Sequence, residues 1–214
     1  MSDVKAIIFW MSGVLTPSHS IVLEKSIYEL TGKRIDTAVY HKKLSFFRQT
    51  NLGLISPEQF YQEVCKAFPT EMAPSILKEK IISLLSVDTQ VIGIINRIPE
   101  KFEIRLIVDY PDEWYGRISG IKIFQEHFPK EKAIILPNLG YKDFERDFIG
   151  SLPELLGLPF EKCLLVDADI KRAVQAISIN LPSIIYVDPR RLNREFILRK
   201  IIQPVNKIKM VHES

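Results

Sequence analysis

Residues 5–17 read KAIIFWMSGVLTP, and this stretch decides the fold. The run Lys5–Trp10 within it is apolar at both odd and even positions, which is typical of a strand buried on both faces. Four later runs share this pattern, and helical patterns lie between them: Glu103–Asp109, Lys132–Pro137, Cys163–Asp167 and Ser183–Val187. Strands that alternate with helices predict an α/β fold with a parallel sheet of about five strands.

Helix signals mark several of the gaps between these runs. Ser56-Pro57-Glu58-Gln59 combines an N-cap residue, a proline at the first helical position and a capping-box glutamine. A second helix is expected over residues 21–30, ending at Gly32, and a third begins at Asp88. A fourth covers residues 171–179, with Asn180 as a left-handed stop.

The gap between the first two predicted strands is unusually long. Residues 17 to 100 contain helical patterns and loops but no strand run, whereas a crossover needs only one helix. We therefore expect an α/β core made of residues 1–17 plus 86–214, with an all-helical insert over residues 18–85. Residues 87–98 would form the crossover helix that returns to the sheet.

Composition narrows the class of protein. The 214 residues are 46% hydrophobic and 26% charged, which is typical of a globular chain and excludes wholesale disorder. No apolar run approaches the roughly 20 residues that span a bilayer, so no membrane association is expected. The two cysteines and four histidines lack zinc spacing. This pattern predicts reduced thiols in a cytoplasmic protein.

The net charge of +3 is concentrated near the C-terminus. Residues 188–214 contain seven basic and three acidic residues, a local charge of +4. We interpret this segment as the solvated face of a terminal helix. A basic module that binds nucleic acid or an acidic partner stays as an alternative. Nucleic acid is not expected, because aromatic and basic residues are not interleaved there.

Five segments resemble, in chain order, the motifs of the haloacid dehalogenase-like (HAD) hydrolase superfamily. KAIIFWMSGVLTP resembles the first motif, a strand followed by Asp-x-Asp-Gly-(Thr/Val)-(Leu/Val). LIVDYPDEW, LGYKDFERDF and CLLVDADIKRAVQA resemble the second, third and fourth motifs, and NLGLISPEQF resembles a segment of the helical cap. The resemblance covers roughly residues 3 to 195. It implies a HAD-like Rossmannoid sheet flanked by helices, with an inserted helical cap subdomain.

The same resemblance shows which motif residues have changed. Trp10 stands where the family has its nucleophilic aspartate, and Ser12 stands where it has its general acid. Asp109 replaces the phosphate-binding serine or threonine, and Ala168 replaces a magnesium-binding aspartate. An indole only donates a hydrogen bond and cannot attack phosphorus, and a serine hydroxyl is a poor general acid. An ionised Asp109 would repel phosphate by about 4 kcal/mol per unit-charge pair at ~4 Å and an effective dielectric near 20.

Three motif residues keep their chemistry. Lys142 matches the motif lysine, and Asp167 matches the remaining carboxylate, a candidate metal ligand. Asp169 lies one residue past the second ligand position. We expect Asp109, Lys142, Asp167 and Asp169 to converge at the carboxyl edge of the sheet as a remnant site. There, Lys142 would pair with Asp109 or Asp167.

These substitutions lead to a non-catalytic hypothesis with one enzymatic alternative. The protein would have lost phosphatase activity and would act by binding a protein partner, or a small ligand at the cleft between core and cap, with Trp10 filling the old site. The ligand-binding residues would be those of the remnant site. No cofactor is expected, and Mg²⁺ only if the remnant site still binds it. The alternative is an active HAD-like hydrolase with unusual chemistry that uses Asp109, Asp167, Asp169 and Lys142.

Overall fold

A central parallel sheet organises the protein. The computed structural model describes residues 4–35, 45–50, 53–67, 72–139 and 146–204. The sheet contains five strands, which are β1 (Ala6–Trp10), β2 (Glu103–Val108), β3 (Ala133–Ile135), β4 (Cys163–Asp167) and β5 (Ser183–Ile185). Their order is β3-β2-β1-β4-β5, and every pairing is parallel. The predicted α/β fold with a five-stranded sheet is confirmed.

Helices precede and follow these strands. Between β1 and β2 lie α1 (His19–Thr31), α2 (Pro57–Ala67), α3 (Pro74–Leu84) and α4 (Thr89–Ile95). Residues 45–50 are helical as well. After β2 come α5 (Asp112–Ser119), α6 (Lys122–His127), α7 (Arg146–Leu156), α8 (Ile170–Ser178) and α9 (Pro189–Leu198).

The first strand lies at the centre of the molecule. All five residues of β1 are buried, because β2 and β4 flank it and helices cover both faces of the sheet. One apolar cluster includes Ile7 and Phe9, and a second includes Ile8 and Trp10. Alternate residues of β1 therefore pack into opposite sides of the core, as a buried strand requires.

The predicted helix ends are confirmed by their capping contacts. Ser56 N–H donates to Gln59 Oε1 at 2.8 Å, and Gln59 N–H donates to Ser56 Oγ at 3.2 Å, which completes the capping box. Asp88 caps α4 by accepting from the backbone of Gln90. Gly32 ends α1 with a φ of 68°, a left-handed conformation that glycine adopts without strain.

The third and fifth strands are shorter than predicted. Lys132–Pro137 was expected as one strand, but β3 contains only Ala133–Ile135 and runs into a 3₁₀ turn, Leu136–Asn138. Among the described strands, it lies at the edge of the sheet and pairs with β2 alone. Pro137 has no backbone N–H to extend the pairing, so the strand ends before it. The last strand, β5, is the opposite edge and ends at Ile185 rather than Val187.

The secondary structure described for the long insert consists of helices. Among the described residues between β1 and β2, every regular element is a helix, as the spacing predicted. The boundaries drawn at residues 17/18 and 85/86 stay a prediction. No helix in the described part of the chain combines the length and apolar character needed to cross a membrane.

Candidate functional site

The candidate site lies at the carboxyl edge of the sheet, where the first, second and fourth strands end. Trp10 is the last residue of β1, Asp109 follows β2, and Asp167 is the last residue of β4. Because β1 lies between the other two strands, its terminal side chain lies between the two carboxylates. Open α/β sheets bind ligands at this edge, and the HAD resemblance placed the catalytic residues here.

Trp10 and Ser12 both donate hydrogen bonds to Asp109. Trp10 Nε1–H donates to Asp109 Oδ2 at 2.7 Å, and the Ser12 hydroxyl donates to the same oxygen. The Ser12 backbone N–H donates to Asp109 Oδ1 at 3.3 Å. All three side chains are buried. Trp10, Ser12 and Asp109 therefore form one closed network, in which the carboxylate accepts from the two side chains at the positions that the resemblance assigns to the catalytic aspartates.

Arg172 holds the second carboxylate. Its Nε and Nη2 donate to Asp167 Oδ2 and Oδ1, both at 2.8 Å, a bidentate ion pair. The guanidinium carbon lies 4.0 Å from the centroid of the Trp10 ring, a cation–π distance. Burial raises the pKa of the Asp167 carboxyl above its usual range, and the hydrogen bonds and charge of Arg172 oppose that shift.

Gly13 and Ala168 approach each other at the bottom of this site. Gly13 has a φ of +85°, and a Cβ built on it would lie 2.8 Å from Ala168 Cβ. This distance is shorter than non-bonded carbon atoms tolerate. Only glycine fits the turn after β1 in this packing. The alanine methyl occupies the space at the motif position where the family carries a metal-binding aspartate.

Of the two other residues of the expected remnant site, the structure describes Asp169 but not Lys142. The Asp169 side chain caps α8, accepting from Lys171 N–H at 2.8 Å and Arg172 N–H at 3.1 Å. Asp169 Oδ2 also lies 3.7 Å from Arg172 Nη1. Lys142 lies outside the described residues, so its expected pairing stays a prediction. In the structure, Asp167 pairs with Arg172 and also accepts from the Asp169 backbone N–H at 2.9 Å.

His19 packs behind Asp109. Its Nε2 lies 3.0 Å from the Asp109 backbone carbonyl oxygen, which only accepts, so this nitrogen carries the hydrogen. Its Nδ1 lies 3.7 Å from Asp109 Oδ2. Burial lowers the pKa of His19 below its ordinary value of 6.5, although the Asp109 charge acts in the opposite direction. The ring is therefore neutral at neutral pH.

Aromatic side chains fill the space between the insert and the sheet edge. His19 lies 5.0 Å from Phe47 and 4.7 Å from Tyr110, measured between ring centroids. Trp114 lies 5.4 Å from both Phe47 and Tyr110. Phe60 continues the cluster at 4.5 Å from Phe47. Phe47, Phe60, Tyr110 and Trp114 are buried, so this aromatic layer covers the site on the insert side.

Polar contacts attach the insert to α5. Trp114 Nε1–H donates to Tyr61 Oη at 2.7 Å, and Tyr61 in turn donates to Glu113 Oε2 at 3.4 Å. Lys78 Nζ lies 2.5 Å from Glu113 Oε1. Burial raises the pKa of the Tyr61 hydroxyl, which is therefore protonated and able to donate at neutral pH. Helices α2 and α3 are thus fixed to the core beside the aromatic layer.

The described residues of this site do not fit a magnesium ion. Mg²⁺ requires oxygen ligands in octahedral order. The side chains of Trp10 and Ala168 carry no oxygen, and both Asp167 side-chain oxygens accept from Arg172. In the described part of the chain, no group of three or more histidine, cysteine, aspartate or glutamate side chains is arranged to hold a metal.

Sequence reasoning missed two residues at this site, Arg172 and His19. Arg172 carried a usable signal, because it occupies the asparagine position in the motif Val-Asp-Asp-Ser-x-x-Asn and adds a charge there. His19 carried none. Its contact with Asp109 exists because residues 11–17 fold back, with the backbone N–H groups of Leu15 and Thr16 both donating to the Met11 carbonyl oxygen.

Comparisons with solved structures agree with this architecture. The HAD family enzyme BT-2542 of Bacteroides thetaiotaomicron matches with a TM-score of 0.68 at 15% identity, over 86% of this chain and 93% of that one. A HAD-like family hydrolase of Porphyromonas gingivalis matches with a TM-score of 0.62 at 15% identity, over 86% and 91%.

L-2-haloacid dehalogenase of Xanthobacter autotrophicus matches with a TM-score of 0.58 at 13% identity, over 92% of this chain and 84% of that one. No protein-family model matches the sequence, and no curated protein matches it significantly. The strand order, the motif positions at one sheet edge and these structural matches agree. The chain has the Rossmannoid fold of the haloacid dehalogenase-like superfamily.

Proposed function

We propose that this HAD-fold protein has lost phosphatase chemistry and acts by binding another molecule, through a site other than the old catalytic centre. The observation that carries the proposal is the closed network around Trp10. Its indole donates to Asp109 on one side and lies against Arg172, the partner of Asp167, on the other. Phosphoryl transfer through an aspartyl intermediate needs a nucleophilic oxygen where the indole now lies.

Burial supports the loss of phosphate binding as well as of turnover. The exposed fraction is 0% for Trp10 and Asp167, 2% for Asp109 and 5% for Ser12. The aromatic layer fills the space above them. A phosphate ester would have to displace several packed rings and would then meet the Asp109 carboxylate.

The enzymatic alternative is less well supported by the same contacts. Asp109 accepts three hydrogen bonds from this chain, and Asp167 accepts two from Arg172. A carboxylate that acts as a nucleophile or base must reach substrate, and both are covered. Of the three carboxylates that the enzymatic alternative would use, Asp169 alone is accessible, and its side chain caps a helix.

Two further assignments belong to this proposal. We assign the helical insert, residues 18–85, as a cap that stays closed on the core, supported by the Trp114–Tyr61 contact. We also assign the protein to the cytoplasm, supported by two buried cysteines that are both free thiols. Its partner would be a protein or a small molecule that binds outside the filled cleft.

The test is hydrolysis of a panel of phosphate esters, including p-nitrophenyl phosphate, with and without Mg²⁺. We expect no magnesium-dependent turnover by the wild type. The matched variant restores the motif: Trp10→Asp, Ser12→Asp, Asp109→Ser, Ala168→Asp and Arg172→Asn. Turnover by this variant would locate the loss in the five substitutions.

Wild-type activity would overturn the proposal, and single substitutions would then assign it. Activity lost in Asp167→Asn but kept in Asp109→Asn would indicate conventional metal-assisted chemistry. Activity lost only in Asp109→Asn would support the displaced-nucleophile alternative.

A further inference from the structure

A cluster of arginines lies on α9, the last described helix. Arg190, Arg191 and Arg194 are exposed on α9 and line one surface depression together with Leu198. We call these four side chains the basic patch. Leu198 has 65% of its surface exposed, so the patch combines three positive charges with one aliphatic side chain.

The three guanidinium groups have no counterion among the described residues. Within the described residues, no hydrogen bond or ion pair involves the side chain of Arg190, Arg191 or Arg194. Other arginines of the core differ, since Arg172 pairs with Asp167 and Arg97 donates to Asn193 Oδ1 at 2.6 Å. The patch arginines are therefore not used to hold the described fold together.

The two acidic residues that line the depression are already engaged. Asp188 Oδ1 accepts from the Arg191 backbone N–H at 2.9 Å and caps the helix. Glu195 Oε2 lies 3.5 Å from Arg199 Nε. Like charges three and four residues apart repel each other on a helix, so Arg194 repels both Arg190 and Arg191. An anionic ligand would relieve this repulsion.

The surroundings of the arginines favour a peptide over a nucleic acid. No aromatic side chain lines the depression, so it offers no platform on which a base could stack. Guanidinium forks match carboxylates in bidentate geometry, and Leu198 offers contact to an apolar side chain.

We propose that the basic patch docks an acidic segment of a partner protein, in which glutamate or aspartate side chains flank an aliphatic residue. The proposal deepens the binding role stated above by naming the partner's chemistry. The patch extends along one ten-residue helix, a small surface, so the complex is expected to be transient.

The test measures fluorescence anisotropy of a labelled peptide with a repeated Glu-Glu-Leu sequence. A Gln-Gln-Leu peptide and a labelled oligouridine serve as comparison probes. The variant Arg190→Gln/Arg191→Gln/Arg194→Gln is compared with Arg34→Gln/Arg117→Gln/Lys122→Gln. The second set removes the same charge from exposed positions elsewhere. Thermal melting of both variants establishes that they are folded.

The expected result is that the acidic peptide binds the wild type and the control variant alike. The patch variant should bind about tenfold more weakly, as the loss of three partly exposed ion pairs implies. Equal weakening in both variants, or no binding of the acidic peptide by the wild type, overturns the proposal. Tighter, patch-dependent binding of oligouridine also overturns it, in favour of a nucleic-acid surface.

This result is separable from that of the phosphatase assay. An active wild-type phosphatase would overturn the proposed loss of catalysis without affecting peptide binding. Failure of the peptide to bind would leave the catalytic conclusion as it is.

Discussion

Removing Arg172 tests the closed network most sharply through stability. In Arg172→Ala, the fully buried Asp167 loses its two hydrogen bonds from the guanidinium, and Trp10 loses the cation against its ring. Breaking a buried ion pair by removing one partner costs about 3–5 kcal/mol, because a charge is left buried without compensation. For a chain of this size, that corresponds to a melting temperature lower by roughly 6–20 °C.

The pH dependence of this loss has a defined sign. Burial already raises the pKa of Asp167, and removing Arg172 removes the contacts that lower it. A carboxyl whose folded-state pKa lies above its unfolded value binds a proton more readily in the folded protein. The contribution to stability is therefore fully present below the unfolded pKa of about 4 and is lost as pH rises through the folded pKa. The deficit of Arg172→Ala relative to wild type should grow from acidic to neutral pH.

The assay is urea unfolding of wild type and Arg172→Ala at several pH values between about 4.5 and 8. Arg117→Ala, at an exposed arginine, is the matched control and should change stability by less than about 0.5 kcal/mol. Asp167→Asn/Arg172→Ala should recover part of the loss, because the buried group is then neutral. A deficit below about 1 kcal/mol, or one that grows as pH falls, would refute the proposed pairing.

Three further predictions concern the same site. Trp10→Phe removes the indole N–H that donates to Asp109. It should lower the free energy of unfolding, measured in urea, by about 1–3 kcal/mol. An unchanged free energy of unfolding would contradict a stabilising hydrogen bond. Because burial lowers the pKa of His19, the folded state binds its proton less readily than the unfolded state, so wild type should lose stability as pH falls below 6.5. His19→Gln should reduce this dependence of the urea midpoint on pH. An unchanged dependence would assign the loss of stability to other titrating groups. Gly13→Ala places a side chain at a positive φ and against the Ala168 methyl, so it should lower the melting temperature. Adding Ala168→Gly to this variant should restore only the steric part of the loss. Full restoration would show that the positive φ carries no cost.

Much of the sheet could be predicted because the apolar character of its strands reflects their burial. The buried strands are apolar at both odd and even positions. Ser56 and Gln59 likewise predict a capping box, and the structure contains both of its hydrogen bonds. Strand ends were less predictable at the sheet edges. There, pairing on one side only and Pro137 decide where β3 stops.

The site was predictable in position but not in its contacts. The motif positions located Trp10, Ser12, Asp109 and Asp167 at one edge of the sheet. Which side chain would neutralise Asp167 depended on the direction of Arg172 from the first turn of α8, and the prediction considered only Lys142. The aromatic layer depends on how the helical insert packs on α5, which involves residues more than 50 positions apart in the chain.

The central claim is that the former phosphate site is filled and closed to both metal and phosphate. Isothermal titration of Mg²⁺, and then of inorganic phosphate in the presence of Mg²⁺, tests it directly on the wild-type protein. We expect no saturable binding of either ion. Saturable phosphate binding that requires Mg²⁺ and disappears in Asp167→Asn would contradict the claim, because it would show that the indole and the Arg172–Asp167 pair leave the site open.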